Sequence, residues 1–153
     1  MKGKGVFLHE TDHWATPKKL YKCYMDKGFI DPCPLHCEKD NLNTIYKGKK
    51  IFINPPYSQI SKWVEFIKNN LPECVEIHLL IPARTDTKYF HELLQLKPHI
   101  VFIKGRLHFN DTGCAPFPSI IMCFYNKHYK FSIDTYEGID LEVLYNGLKN
   151  IKG

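Results

Sequence analysis

No apolar run in these 153 residues approaches the ~20 needed to cross a bilayer as a helix, so a membrane-spanning class is not expected. The opening Met1-Lys2-Gly3-Lys4-Gly5 is charged, but the apolar core of a secretory leader does not follow it. Six cysteines (Cys23, Cys33, Cys37, Cys74, Cys114 and Cys123) lack the regular spacing of a disulfide framework, and a reducing cytosol is the expected compartment. There is little excess charge of either sign. The 21 Lys and Arg against 16 Asp and Glu leave +5, which permits a polyanionic partner without requiring one. Internal repeats and low-complexity stretches are missing as well. What remains is an ordinary globular composition, 44% apolar and 24% charged, long enough for one core. The expectation is a single domain over 1–153, with a polar arm over 1–13 and no separate target-recognition domain.

Apolar periodicity divides the chain. Thr16-Pro17 reads as N-cap and first residue of a helix that Gly28 ends, with Leu20, Cys23, Tyr24 and Lys27 at helical spacing. Phe29-Ile30-Asp31 is a short strand broken at Pro32, and 33–50 is a polar loop. Ile51-Phe52-Ile53 is a buried-type strand. Ile60, Trp63, Val64 and Ile67 then mark a helix that Pro72 closes. A strand over Val75–Ile81 follows, then a helix capped by Thr85-Asp86-Thr87 and carrying Phe90, Leu93 and Leu94. Strands over His99–Ile103 and Ser119–Tyr125 come next, and Leu141, Leu144, Tyr145 and Leu148 mark a last helix. Strands alternating with helices predict an α/β fold with a mostly parallel sheet and a late antiparallel hairpin. Ligands of such sheets bind at the carboxyl ends of the strands. Asp31-Pro32-Cys33, Asn54–Tyr57 and Pro82–Asp86 all fall at strand ends, so they are expected along one edge.

The most telling segment is Asn54-Pro55-Pro56-Tyr57, set between a strand and a helix. This arrangement resembles the place where amino-group methyltransferases bind the nitrogen they alkylate. An exocyclic amino nitrogen is a poor nucleophile because its lone pair is delocalised into the ring. If the Asn54 side-chain oxygen and the Pro55 carbonyl each accept one N–H, the lone pair localises and positive charge developing at nitrogen is stabilised. Two prolines fix φ and donate no N–H of their own. Tyr57 offers an aromatic face to a flipped base. The plainer reading is a Pro-Pro loop after a strand, with Asn only starting a turn.

Six blocks in order extend the likeness: Trp14-Ala15-Thr16-Pro17; Asp31-Pro32-Cys33; Asn54-Pro55-Pro56-Tyr57 with Trp63-Val64; Pro82–Thr87; Gly105-Arg106-Leu107 with Phe109; and Ala115–Ser119. Together they resemble the phage-type DNA N-6-adenine methyltransferases, a compact Dam-like family. The resemblance implies a reduced Rossmann-like fold, S-adenosylmethionine as cofactor and double-stranded DNA as partner. It also implies transfer of a methyl group to the amino nitrogen of a flipped adenine. A phage or prophage origin, with a restriction-modification context in the host cytosol, would accompany it. Carried over, the block with Trp14, Thr16 and Pro17 resembles the segment covering the methionine end of the cofactor. Asp31, Pro32 and Cys33 resemble the loop beside its amino-acid part. Arg84, Lys88, Lys104 and Arg106 are candidate phosphate contacts. Phe109, with Phe117, is a candidate second wall for the base.

One departure bears on the cofactor. Larger methyltransferases follow the first strand with a Gly-rich turn and two further strand–helix units. Here residues 31–37 contain no glycine, and Asn54 follows Asp31 by only 23 positions. That is too few for two units when each crossover takes at least ~10–12 residues. The sheet is expected to be cut down on that side, which leaves the ribose-binding acid unassigned. Asp40 and Glu38 are candidates by position, against plain solvated loop charges. Cys33, His36 and Cys37, with Cys23 upstream, offer zinc ligands, but no matching downstream half exists and no metal is expected. Other planar NH2 groups, on cytosine, RNA adenine or protein glutamine, suit the tetrapeptide equally. A non-enzymatic DNA-binding or antirestriction module on the same fold is the remaining alternative, favoured by the missing glycines.

Overall fold

The computed structural model describes residues 14–34, 41–109 and 114–126. Its elements follow the hydrophobic pattern. The first helix, α1 (Lys18–Asp26), buries Leu20 and Tyr24 while its lysines stay outside. Gly28, at φ 78°, turns the chain directly into β1 (Phe29–Ile30). After the loop come β2 (Lys50–Ile53), a short 3-10 turn over Tyr57–Gln59 and α2 (Ile60–Asn70). Then follow β3 (Glu76–Pro82), α3 (Lys88–Leu94), β4 (His99–Phe102) and β5 (Ser119–Tyr125).

The strands form one sheet in the order β1-β2-β3-β5-β4. β1, β2 and β3 pair in parallel, while β5 runs antiparallel to both β3 and β4. The expected mostly parallel sheet is therefore mixed, parallel at one end and antiparallel at the other. β4 and β3 are both antiparallel to β5 and so point the same way. The carboxyl ends of β1, β2, β3 and β4 consequently share one edge.

Alternation along the strands gives the sheet two apolar faces. Ile51, Ile53, Ile77, Leu79 and Ile81 pack with Ile60, Val64 and Ile67 of α2 and Phe90 and Leu93 of α3. Phe29, Phe52, Leu80, Ile121 and Cys123 face the other way, against Leu20 and Tyr24 of α1. The loop before β2 is pinned by buried Asn70. Its Oδ1 accepts from the Tyr46 N–H at 2.7 Å, and its Nδ2 donates to the Thr44 carbonyl at 3.0 Å. A polar group interrupts the α1 face. The Tyr24 hydroxyl lies 2.9 Å from His78 Nδ1, and His78 Nε2 lies 3.4 Å from Glu76 Oε2, an ion-pair distance without hydrogen-bond alignment. Burial and its neighbours Cys123, Cys23, Glu76 and Tyr125 push the Tyr24 hydroxyl well above its usual pKa, so it stays neutral.

Several expected boundaries shift. Thr16-Pro17 does not form the capping pair: Pro17 itself is the N-cap, and no side chain caps α1. Thr87, not the whole Thr85–Thr87 run, caps α3, accepting from the Phe90 N–H. β3 begins at Glu76 and runs on to Pro82, and β4 stops at Phe102. The arm over 1–13, the helix expected near Leu141–Leu148, and Asp40, Glu38, His36 and Cys37 lie outside the described residues.

Candidate active site

β2 delivers Asn54 to the shared edge. Phe52 stacks on Tyr24 of α1, with ring centroids 4.0 Å apart and planes 22° from parallel. Alternation carries the Asn54 side chain to the same face, two residues on. There the segment preceding α1 crosses it. Asn54 Nδ2 donates to the Trp14 carbonyl at 2.6 Å and to Thr16 Oγ1 at 3.0 Å. A carbonyl only accepts, so the nitrogen of the amide must face Trp14. Asn54 Oδ1 is thereby turned the other way, and it is buried with no hydrogen-bond partner among the described residues. Buried acceptors are normally satisfied. Among the described residues, this acceptor has no donor.

Pro55 is buried and Pro56 half-buried. The Pro56 carbonyl is engaged by the Gln59 N–H at 2.9 Å, which starts the 3-10 turn and fixes the loop leaving β2. Tyr57, half-buried, meets Phe117 edge-on at 5.3 Å. Trp14 meets Phe117 at 5.4 Å and Phe109 at 5.3 Å, both edge-on. The four rings make an aromatic wall beside Asn54 in a region joined by chain segments far apart in sequence. Phe109 is 1% exposed and Phe117 7%, so both rings back the wall from behind. Phe109, expected as a second wall for the base, packs here against Trp14 and Phe117. An expected N-cap hydroxyl, Thr16, turns out to be a partner of Asn54.

Asp31 follows β1 on the strand beside β2. Its Oδ1 accepts from the Cys33 N–H at 2.8 Å, and Asn41 Nδ2 donates to the Pro32 carbonyl at 3.0 Å, tying the loop back. Burial pushes the Asp31 carboxyl up to about 6, although the Cys33 N–H pulls in the other direction. No Lys, Arg or His among the described residues forms an ion pair with it. Cys23 and Cys33 form no disulfide among the described residues, and no group of three metal-ligating side chains occurs among the described residues.

Arg84, Lys88, Lys104 and Arg106 are all exposed. Arg84 follows β3, Lys88 opens α3, and Lys104 and Arg106 follow β4, so they lie in the segments leaving the same edge as Asn54. Lys88 is 3.5 Å from Glu92, an exposed pair that leaves its charge available. Phe102, 69% exposed, closes β4 at this edge. No helix among the described residues is long and apolar enough to cross a membrane.

The sequence model of the family described as DNA N-6-adenine-methyltransferase (Dam) matches residues 6–119, well over half of the chain. The chain belongs to that family. Its matched span takes in Trp14, Asp31, the Asn54–Tyr57 turn, the residues after β3 and the Phe117 wall. No curated protein matches the chain. As a member of the Dam family it is a DNA adenine methyltransferase in general class, in a family that acts on DNA and generally uses S-adenosylmethionine.

Sequence reasoning missed two features. The contact of Trp14 and Thr16 with Asn54 spans 40 and 38 positions and has no local signature. The Tyr24–His78–Glu76 group leaves only a faint trace, two polar residues at alternate positions in an apolar strand.

Proposed function

We propose that this single domain is a site-specific methyltransferase that takes a methyl group from S-adenosylmethionine and places it on N6 of an adenine turned out of duplex DNA. The observation that carries the reading is the buried Oδ1 of Asn54, without a partner among the described residues and oriented by two hydrogen bonds on the other side of its amide. An amino N–H donating to that oxygen, and its second N–H to the Pro55 carbonyl, would localise the nitrogen lone pair. Tyr57, backed by Phe117, offers stacking to the extruded base, worth roughly 1–3 kcal/mol on aromatic platforms. The five-strand order, with parallel strands ending in Asp31 and Asn54, is compatible with a Rossmann-like sheet shortened beyond β1.

The cofactor supplies the electrophilic methyl on a sulfonium sulfur. Asp31 suits it: a partly buried carboxyl without a cation among the described residues, on the strand next to Asn54, would meet a group bearing positive charge. Trp14, Thr16, Pro17, Pro32 and Cys33 surround the same strand ends, and Asp40 is the candidate for the ribose. Arg84, Lys88, Lys104 and Arg106 would take phosphates.

The test is direct. Purified protein, S-adenosylmethionine and adenine-containing duplex should yield N6-methyladenine by mass spectrometry, with no methylcytosine. Methyl transfer to cytosine, RNA or protein instead would reassign the substrate. Duplex binding without cofactor binding would favour a binding module.

Asp31 gives the reading a pH signature. Its folded pKa of about 6 lies above the ordinary 3.8, so the folded state holds the proton more tightly than the unfolded chain. Stability from this group is therefore full below about 3.8 and is lost as pH rises through about 6. A bound cation reverses the preference. Cofactor affinity, measured by calorimetry, should rise with pH by up to about tenfold per unit until about 6 and then level. Asp31→Asn should stabilise the free protein at pH 7 while weakening cofactor binding and flattening its pH dependence. Cofactor affinity unchanged by this substitution would remove Asp31 from the site.

A further inference from the structure

We infer that the Trp14 carbonyl and the Thr16 hydroxyl act together as a polarity clamp on position 54, fixing which end of the side chain faces the base and admitting an amide there but not a carboxylate. Thr16 is thus a positioning residue for the reaction. The inference rests on the reading of Asn54 as the acceptor of the target amino group and adds what makes that acceptor point the right way.

An asparagine amide has two ends of similar shape and opposite function. Turned over, it would present two N–H donors to an amino group that also donates, and the site would repel its substrate. Rotation about the last side-chain bond is broad and roughly two-fold, so the chain itself does not choose. The choice is made by what lies behind. Trp14 offers a carbonyl 2.6 Å from Nδ2, and a flipped amide would set oxygen against oxygen there. Thr16 Oγ1, 3.0 Å away, takes the second N–H of the same nitrogen. Both donors being occupied, Oδ1 is the other end, and it is the atom buried without a partner among the described residues.

Trp14 is itself seated between Phe109 and Phe117, so the carbonyl is held by the aromatic wall. The clamp and the base platform are one packed unit.

A carboxylate cannot satisfy this environment. It has no N–H for the Trp14 carbonyl, and two oxygens would face each other at hydrogen-bond distance with no proton between them. A protonated carboxyl can satisfy it, donating O–H to Trp14 and leaving its carbonyl oxygen for the base. Asn54→Asp should therefore work only when protonated. Among the described residues, the titratable groups of this face are Asp31 after β1, Lys50 of β2, Tyr21, Cys23 and Tyr24 of α1, Glu76 and His78 of β3, Cys123 and Tyr125 of β5 and Tyr57 of the turn after β2. Lys18, Lys19, Lys22 and Asp26 lie on the exposed side of α1. Profiles taken at saturating cofactor beside the unaltered protein subtract their contribution.

Single-turnover methyl transfer is measured for Asn54→Ala, Asn54→Asp, Thr16→Val and Thr16→Ser, with cofactor affinity from calorimetry. Asn54→Asp is expected about a hundredfold slow near pH 8 and to gain up to about tenfold per unit as pH falls, a limb the unaltered protein lacks. Thr16→Val is expected to lose about tenfold in rate at saturating cofactor, over and above any change in cofactor affinity, and Thr16→Ser to restore most of that rate. The clamp is overturned if Asn54→Asp runs at full rate near pH 8 while Asn54→Ala is dead. It is overturned equally if Thr16→Val weakens only cofactor binding, or if serine restores nothing. Full activity of Asn54→Ala would instead remove the acceptor role itself. Should Thr16→Val lose its folded circular dichroism, the Asn54→Asp profile decides alone.

Discussion

Asn54→Ala is expected to lower methyl transfer by a hundredfold or more, about 3 kcal/mol of transition-state stabilisation, while the fold and cofactor affinity stay nearly intact. Two parts of the geometry set this expectation. The atom removed is Oδ1, an acceptor with no partner among the described residues, so its removal leaves no donor stranded. The Nδ2 side is different, because the Trp14 carbonyl and Thr16 hydroxyl lose a donor. Unsatisfied groups of that kind cost about 1–3 kcal/mol where water is kept out. Asn54 is only half-buried, so a water replacing the amide can answer them and the stability loss should sit at the low end. Rate at saturating cofactor, thermal melting and calorimetric cofactor binding separate the three quantities. Near-normal turnover in the variant would end the assignment of Asn54.

The reactive segment was readable because everything that defines it is local. A buried strand, two prolines that fix the backbone and a helix with one apolar stripe lie within the span from Ile51 to Ile67. The convergence of strand ends was readable for the same reason, since a helix between parallel strands forces them to point alike. The sheet's mixed character needed the pairing of β5 between β3 and β4, a long-range choice that no local pattern encodes.

Thr16 marks the limit of local rules. A threonine before a proline at a helix start satisfies the capping pattern, yet its hydroxyl is used 38 positions away. The helix does without a side-chain cap because Leu20 and Tyr24 hold α1 by burial instead. Phe109 follows basic residues in the sequence, yet the packing of Trp14 and Phe117 around it takes it into the core, a placement no local pattern encodes. Residues at a site built from distant segments are each ambiguous alone, and only their meeting distinguishes platform from support.

Neutralising Arg84, Lys88, Lys104 and Arg106 together should weaken duplex binding severely and in a salt-dependent way. All four are exposed and all follow strands that end at the Asn54 edge, so they surround the path a backbone would take toward the aromatic wall. A cation that neutralises a phosphate releases condensed counterions, so removing one such pairing should flatten the log–log salt slope by about 0.9. Removing all four amounts to a slope change of about 3.6, or roughly two orders of magnitude in affinity between ~50 and ~200 mM salt. Single substitutions should not be equal. Lys88 already has Glu92 at 3.5 Å, so Lys88→Gln should change the slope least and Arg84→Gln or Arg106→Gln most. Because the pairings are with phosphate, the weakening should be the same for target and non-target duplexes, leaving sequence preference unaltered. Fluorescence anisotropy on both duplexes across a salt series reads all of this. A slope unchanged by the fourfold variant would move the DNA-binding face away from this edge of the sheet.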